Sequence, residues 1–322
     1  MKARALFWLK VGVSVALLGY LLSLIDLGGL LEKLREVDLR YLALAFVLLL
    51  LQTGLSSLKW QVILRADGVR MRLPFLIKTY LIGNFISLFL PTSFGGDIYR
   101  VLAARGVNQD LAKSTSSVLF DRLSGLFALI SICMLAYVVL PEQPYGVIVL
   151  ILYVVGVAGF GLVSSDALGR HVEASSIGLV KKVGKILVSF RNYRRNARLL
   201  TVILLLSFLF QLNLVLINKV YTVALGLEID FSILLVIIPL IYLTEILPIS
   251  INGLGVRESA FAFFFVQIGL TVADALAVSV LIVGMRYLVG LLGGSLLLAT
   301  VIASKTAPAG ASSDTHVPAP RD

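Results

Sequence analysis

The sequence predicts an all-α polytopic integral membrane protein, with about six full spans, two re-entrant hairpins and an inverted-topology repeat. Composition is the first reason. Hydrophobic residues make up 59% of the 322 and charged residues 14%, with a mean hydropathy of +0.99; soluble domains run nearer to about 45–50% apolar and about 25% charged. Length of run is the second: apolar stretches of roughly 20 residues recur, enough to cross a hydrocarbon core of about 30 Å. The third is a duplicated pattern. Pro91, Ser93, Gly96 and Arg100 are matched at one constant offset by Pro248, Ser250, Gly253 and Arg257. In both blocks Leu-Pro ends an apolar run and a turn-forming cluster precedes the arginine. Each block is trailed by an apolar run that opens with Ser-Val-Leu (Ser117 and Ser279) and carries an arginine (Arg122 and Arg286).

The full spans fall at about 5–25, 41–62, 115–140, 145–164, 199–222 and 273–302. The first has a basic start (Lys2, Arg4, Lys10) but no small-residue cleavage site, so it reads as an uncleaved span and not a signal peptide. Residues 27–37 suit a short interfacial helix outside. Loop charge sets orientation. Arg65, Arg70 and Arg72 lie between Lys59 and Lys78 against one acid, Asp67. Residues 166–198 carry eight Lys or Arg against Asp166 and Glu173. The opposite loops are mixed or nearly uncharged, so the positive-inside bias places both termini in the cytoplasm of a cell (plasma or inner) membrane protein.

The duplicated blocks do not fit as ordinary spans. A complete crossing by 75–92 would put Arg100, Arg105 and Lys113 outside, against that bias. A hairpin resolves this: 75–90 enters from the cytoplasm, turns at Pro91 to Gly96, and 97–106 returns. In the second block 231–247 enters from outside, turns at Pro248 to Gly255, and 257–270 returns. Proline ends each helix by removing an amide donor and crowding the preceding turn. Repeat 1 (about 41–140) and repeat 2 (about 199–302) then have opposite orientations inside one membrane domain, 1–303. A basic cytoplasmic loop, 165–198, separates them, and a disordered cytoplasmic tail, 304–322, follows. Broken helices at matching places in two halves point to a transporter's substrate site, and helix starts at the turns favour anions.

Arg286 is the most informative single residue, because it lies near the middle of the last span. Arginine there costs about 2.5–3.5 kcal/mol on insertion scales, so a partner or a wet cavity must offset it. It either binds an anionic phospholipid headgroup or forms a structural ion pair, with Glu245 as the candidate acid. Arg100 and Arg257, flanked by Asp97 and Glu258, either grip phosphate or anchor the returning helices. Asp121 and Arg122 open the third span as a pair that can neutralise itself or serve the site. Asn84, Ser93, Asn252, Gly96 and Gly253 complete the candidate substrate-binding set, the polar ones equally readable as caps and turns. Gln211, Asn213, Asn218 and Lys219 form a polar stripe on the fifth span, suited to a cavity wall or to interhelical hydrogen bonds.

In the basic loop, Ile177, Val180, Val183, Leu187 and Phe190 keep helical spacing among lysines and arginines, as in an interfacial helix on anionic lipid. Those charges suit a membrane surface better than nucleic acid. Cys133 is the single cysteine and sits in an apolar run, so no intrachain disulfide is expected. No P-loop, metal motif or Cys/His cluster is present, so neither enzyme activity nor a cofactor or metal is expected.

With Asn84, Leu90-Pro-Thr-Ser-Phe-Gly-Gly-Asp97, Arg100, Ser117-Val, Asp121-Arg122, Gly125, Leu247-Pro and Gly253-Leu-Gly-Val-Arg-Glu258, the chain resembles the lysylphosphatidylglycerol synthase transmembrane-region family over about 5–303. This is the flippase-type domain of the multiple peptide resistance factor, also found as a stand-alone protein. The resemblance implies lipid translocation between leaflets. The cargo expected is an anionic phospholipid, an aminoacyl-lipid or a polyprenyl-phosphate-linked lipid. These residues hold no soluble aminoacyl-transferase domain, so no synthase activity is expected. Two further readings stand beside it: an accessory subunit that partners a lipid synthase or glycosyltransferase, and an ion-coupled small-solute transporter.

Overall fold

The computed structural model describes residues 2–90, 94–139, 145–163, 196–246, 249–306 and a few isolated positions between 165 and 193. Pro91, Ser93 and Pro248 lie outside the described residues, as do most of the basic loop and residues 307–322 of the tail. Among the described residues there are eleven helices and no strand.

Helix α1 (Lys2–Ser23) meets α2 (Leu27–Arg35) at an 87° bend. Asp26 explains the break, since its carboxylate accepts from the amides of Gly28 and Gly29 and so caps α2. Helix α3 (Leu39–Ala66) is capped by Asp38 and ends before Gly68, whose φ of 81° suits glycine. Then come α4 (Leu73–Phe89), with Pro74 in its first turn, and α5 (Gly95–Asn108). Gln109, at φ 55°, stops α5, and Asp110 accepts from the amides of Ala112 and Lys113 to start α6 (Leu111–Val139). Helix α7 (Gly146–Val163) packs on α6.

The same order then returns. Helix α8 (Ala197–Ala224) is capped by Asn196 and followed by Gly226 at φ 69°. Helices α9 (Phe231–Thr244) and α10 (Val256–Gln267) are the short pair. Gly269, at φ 85°, and a reciprocal cap between Thr271 and Asp274 introduce α11 (Val272–Thr306). The long, short, short, long pattern of α3–α6 is thus repeated by α8–α11, with left-handed residues at corresponding breaks.

Packing exchanges elements between the two sets. Helix α3 lies on α8, α4 lies on α11, and α9 lies on α6. The α4–α11 contact is close because α11 offers Gly290, Gly293 and Gly294 to Leu88, Leu81 and Phe85. A Cβ at Gly293 would collide with the backbone oxygen of Leu81, and one at Gly294 would lie 2.6 Å from the Phe85 ring. Small residues at such spacing allow helices in lipid to touch backbone to backbone.

Among the described residues, four helices, α3, α6, α8 and the 272–303 part of α11, are long and apolar enough to cross a membrane, or five if the bent α1–α2 pair counts as one. This is fewer than the six full spans expected. The 5–25 run turns sharply at its end, and only residues 146–162 of the 145–164 run qualify, as a shorter apolar helix. At 1.5 Å per residue that stretch reaches about 25 Å, near the lower end of what a span needs. The outward faces of α7 carry Val147, Ile148, Val154 and Val155, all exposed, as expected of a lipid-facing surface. The chain is a multi-pass membrane protein.

The basic loop departs from its expected lipid-facing placement where it is described. Leu187 and Phe190 pack with Tyr193 against Ile63, Phe120 and Ile203 inside the protein. Ile177, Val180 and Val183 lie outside the described residues.

Candidate functional site

Both expected hairpins are present as folded-back helix pairs. In the first, Gly96 donates its amide to Ser87 Oγ at 2.8 Å, and the backbones of Gly83 and Gly96 touch, so a Cβ on either would meet the other glycine's backbone oxygen at 3.2 or 2.7 Å. Farther from the turn, the Arg100 guanidinium lies 4.1 Å from the centre of the Tyr80 ring. Gly96 therefore seats α5 on α4. In the second, Asn252 (φ 51°), Gly253 (φ 77°) and Gly255 (φ 83°) form a left-handed turn against Glu245. Gly253 is the close-approach point, since a Cβ there would lie 3.2 Å from Glu245 Cγ.

Between the hairpins lies a cavity of about 700 Å³. Its polar wall includes Gln52, Thr53 and Ser56 of α3, Tyr80, Asn84 and Ser87 of α4, and Asn252. Leu49, Leu88, Phe89, Leu90, Phe210 and Val283 supply apolar wall. Glu245, Arg257 and Arg286 are its charged residues. Arg286 projects from α11 and donates through Nη2 to both carboxylate oxygens of Glu245, at 3.1 and 3.2 Å. Arg286 is thus ion-paired, and its side chain remains 39% exposed on a cavity wall.

Arg257 is not an interfacial anchor. It is 2% exposed, bonds Glu258, donates through Nε to Ser279 Oγ at 3.3 Å, and lies 3.8 Å from Glu245. Glu258 also accepts from the amide of Gly255 at 2.7 Å, so the acid holds arginine and hairpin turn at once. Ser279 of the duplicated Ser-Val-Leu motif bonds Glu258 at 2.7 Å. This network braces α10 against α11.

Arg100, Asp97, Asp121 and Arg122 form a second, separate cluster that does not line the cavity. Arg100 sits in the corner formed by the perpendicular Trp60 and Tyr80 rings, with ring centres 4.5 and 4.1 Å away, and bonds Asp121 at 2.7 Å and Asp97 at 3.2 Å. Asp121 and Arg122 do not neutralise one another: Asp121 pairs with Arg100 and with Lys59 at 3.0 Å, while Arg122 pairs with Asp97. Asp121 also sits in the body of α6 rather than at the mouth of a span. A buried acid between two cations keeps each charge compensated where water is absent.

Lys59 and Tyr80 are the residues that sequence reasoning passed over. Lys59 was grouped with the loop arginines, although α3 runs on to Ala66 and buries it, 4% exposed, against α6. An ionisable residue inside an apolar run was itself the signal. Tyr80 joins the two clusters, since it lines the cavity and donates to Asp121 Oδ2 at 2.8 Å.

On the polar stripe of α8, Gln211 and Asn213 make interhelical bonds, while Asn218 Nδ2 donates to the Leu214 carbonyl of its own helix at 2.9 Å. Lys219 donates to the Ile229 carbonyl before α9 and lines a second cavity. Gln211 Nε2 donates to the Gly125 carbonyl at 2.8 Å, and Asn213 Nδ2 to that of Leu48 at 3.0 Å. Asn218 faces the Tyr242 hydroxyl at 3.4 Å. Of the expected site residues, the structure brings Arg286, Arg257, Glu245, Asn84 and Asn252 to one cavity. Glu258 and Gly253 support it, and Ser93 lies outside the described residues.

No curated protein matches the chain. A family model, described as the lysylphosphatidylglycerol synthase TM region, matches residues 7–294. A match over most of the chain, on a helical membrane fold with these paired hairpins, identifies the protein as a member of the lysylphosphatidylglycerol synthase TM-region family.

Proposed function

We propose that the protein moves a phosphate-bearing lipid between membrane leaflets, as a flippase or scramblase without synthase activity. The single observation that carries this reading is the cavity between the two hairpins. It combines a partly exposed arginine, a carboxylate and neutral hydrogen-bonding side chains with a wall of Leu, Phe and Val. A headgroup needs the first set, and acyl chains are compatible with the second. Family membership places the chain among membrane proteins concerned with lipid.

The two sets of four helices, with their exchanged packing, suit a pair of units of opposite orientation, and alternating access about a central site follows from such a pair. In this reading both termini face the cytoplasm of the cell membrane, as the positive-inside bias requires. The braced network around Arg257 holds one hairpin rigid while Arg286, less enclosed, meets cargo.

The test is lipid movement in proteoliposomes carrying fluorescent phospholipid, with dithionite quenching of the outer leaflet. Wild-type protein is expected to remove the protected fraction, and Arg286→Ala to restore it while eluting as a folded monodisperse species. Retention of the protected fraction with folded wild-type protein, for every lipid tried, would refute the reading.

A further inference from the structure

Helix α11 shows where the cavity meets the bilayer. At about 100° per residue, Val289, Arg286, Val283 and Tyr287 follow one another around the helix, and all four line the cavity. The next sector holds Val280, Leu291, Gly284 and Leu288, none of which lines it. These are exposed, and a Cβ at Gly284 would meet nothing within 4 Å. They lie in the body of a spanning helix, where the surroundings are hydrocarbon and hold no water. Tyr287, 51% exposed, stands on the border of the two sectors. Cavity and bilayer therefore adjoin at Tyr287, with no described element between them.

Phe89 forms the facing rim. It ends α4, lines the cavity and is 72% exposed. Its neighbour Leu88 packs on Gly290, three residues along α11 from Tyr287, so the two rings frame one opening. Thr53 and Ser56, on the polar wall, are buried. Size points the same way. A cavity of about 700 Å³ falls within the range of about 300–1,000 Å³ that suits drug-sized molecules. It can hold a headgroup, but not also two acyl chains that each cross one leaflet of a core about 30 Å thick.

We infer that the cavity opens sideways into the bilayer between Tyr287 and Phe89. The cargo's acyl chains leave through this mouth and lie along the exposed face of α11 at Val280, Gly284 and Leu291, while its headgroup stays inside. The inference rests on the lipid-translocation reading and adds to it the path of the chains.

The test uses phosphatidylcholine proteoliposomes and two cargo lipids. One is a phospholipid with a fluorophore at the end of one acyl chain, and the other is the same lipid with polyethylene glycol added to its headgroup. The first is expected to cross and the second to stay in place, because the headgroup and not the chain must fit inside. Gly284→Trp puts an indole on the chain path beside Tyr287. It is expected to slow the first lipid about tenfold, the effect of an added barrier of about 1.4 kcal/mol. Val154→Trp, on the exposed face of α7, is expected to match wild type. If Gly284→Trp fails to fold, the comparison of the two lipids with wild-type protein still decides. Equal movement of both lipids, or wild-type movement by folded Gly284→Trp, would overturn the inference and leave translocation standing. No movement of either lipid would instead overturn translocation, and the inference with it. Uptake of labelled glycerol phosphate without lipid movement would assign the cavity to a free solute, which also overturns the inference.

Discussion

Asn252, on the turn of the second hairpin, donates from Nδ2 to the carbonyl oxygen of Leu90, at the end of the first hairpin's descending helix, at 2.9 Å. The tips of two segments far apart in sequence therefore meet, and the cavity lies beside that junction. The neighbouring Ile251 amide bonds Ser14 of α1 at 3.2 Å, so the second tip is also held from outside. Asn252→Gly keeps the left-handed backbone, which glycine adopts freely, and removes both contacts to the first hairpin. The expected loss is about 1 kcal/mol of stability, read as a lower thermal midpoint in detergent. Faster thiol labelling of Asn84→Cys in a Cys133→Ser background is expected alongside it.

The α4–α11 contact depends on glycine at 293. Gly293→Ala places a methyl group on the Leu81 carbonyl and is expected to cost about 1–3 kcal/mol by overpacking. Gly284, on the same helix, has nothing within 4 Å of its ideal Cβ position. Gly284→Ala is therefore expected to leave thermal unfolding unchanged, which separates helix packing from glycine content.

Asp121 compensates both Lys59 and Arg100. Asp121→Asn leaves buried Lys59 without its counter-ion and Arg100 with Asp97 alone, and is expected to cost about 3–5 kcal/mol, seen as loss of monodisperse protein after extraction. Lys59→Met introduced together with Asp121→Asn is expected to recover part of that loss, because one stranded charge is gone.

Opposite orientation of the two hairpins predicts opposite labelling. With Cys133→Ser as background, Gly106→Cys is expected to react with a membrane-impermeant thiol reagent from the cytoplasmic side, and Leu270→Cys from outside. Reaction of both from one side would refute the inverted arrangement.

Much of this architecture is legible in the sequence because its signals are local. Long apolar runs mark α3, α6, α8 and α11, and the doubled proline, glycine and arginine pattern marks both hairpins. What sequence hides is pairing. Arg100 and Arg257 occupy equivalent places, yet one lies against Trp60 and Tyr80 away from the cavity while the other reaches its wall. Nothing in their neighbours' spacing distinguishes them, because the discriminating contacts come from α3 and α4 in one case and α11 in the other. Arg286 and Glu245 were identifiable as partners, since each is costly alone in an apolar run. Lys59 was not, because its partner Asp121 stands beside Arg122, which looked like the nearer counter-ion.

The central claim, that lipid headgroups pass through the cavity between the hairpins, is tested most directly by filling that cavity. Ser87→Cys in a Cys133→Ser background places the only thiol on its wall. Lipid movement in proteoliposomes is then measured before and after attachment of a bulky methanethiosulfonate group. The account predicts movement before modification, its loss afterwards, and its return on reduction. Unchanged movement with the thiol fully modified would contradict it and put the lipid path elsewhere on the protein.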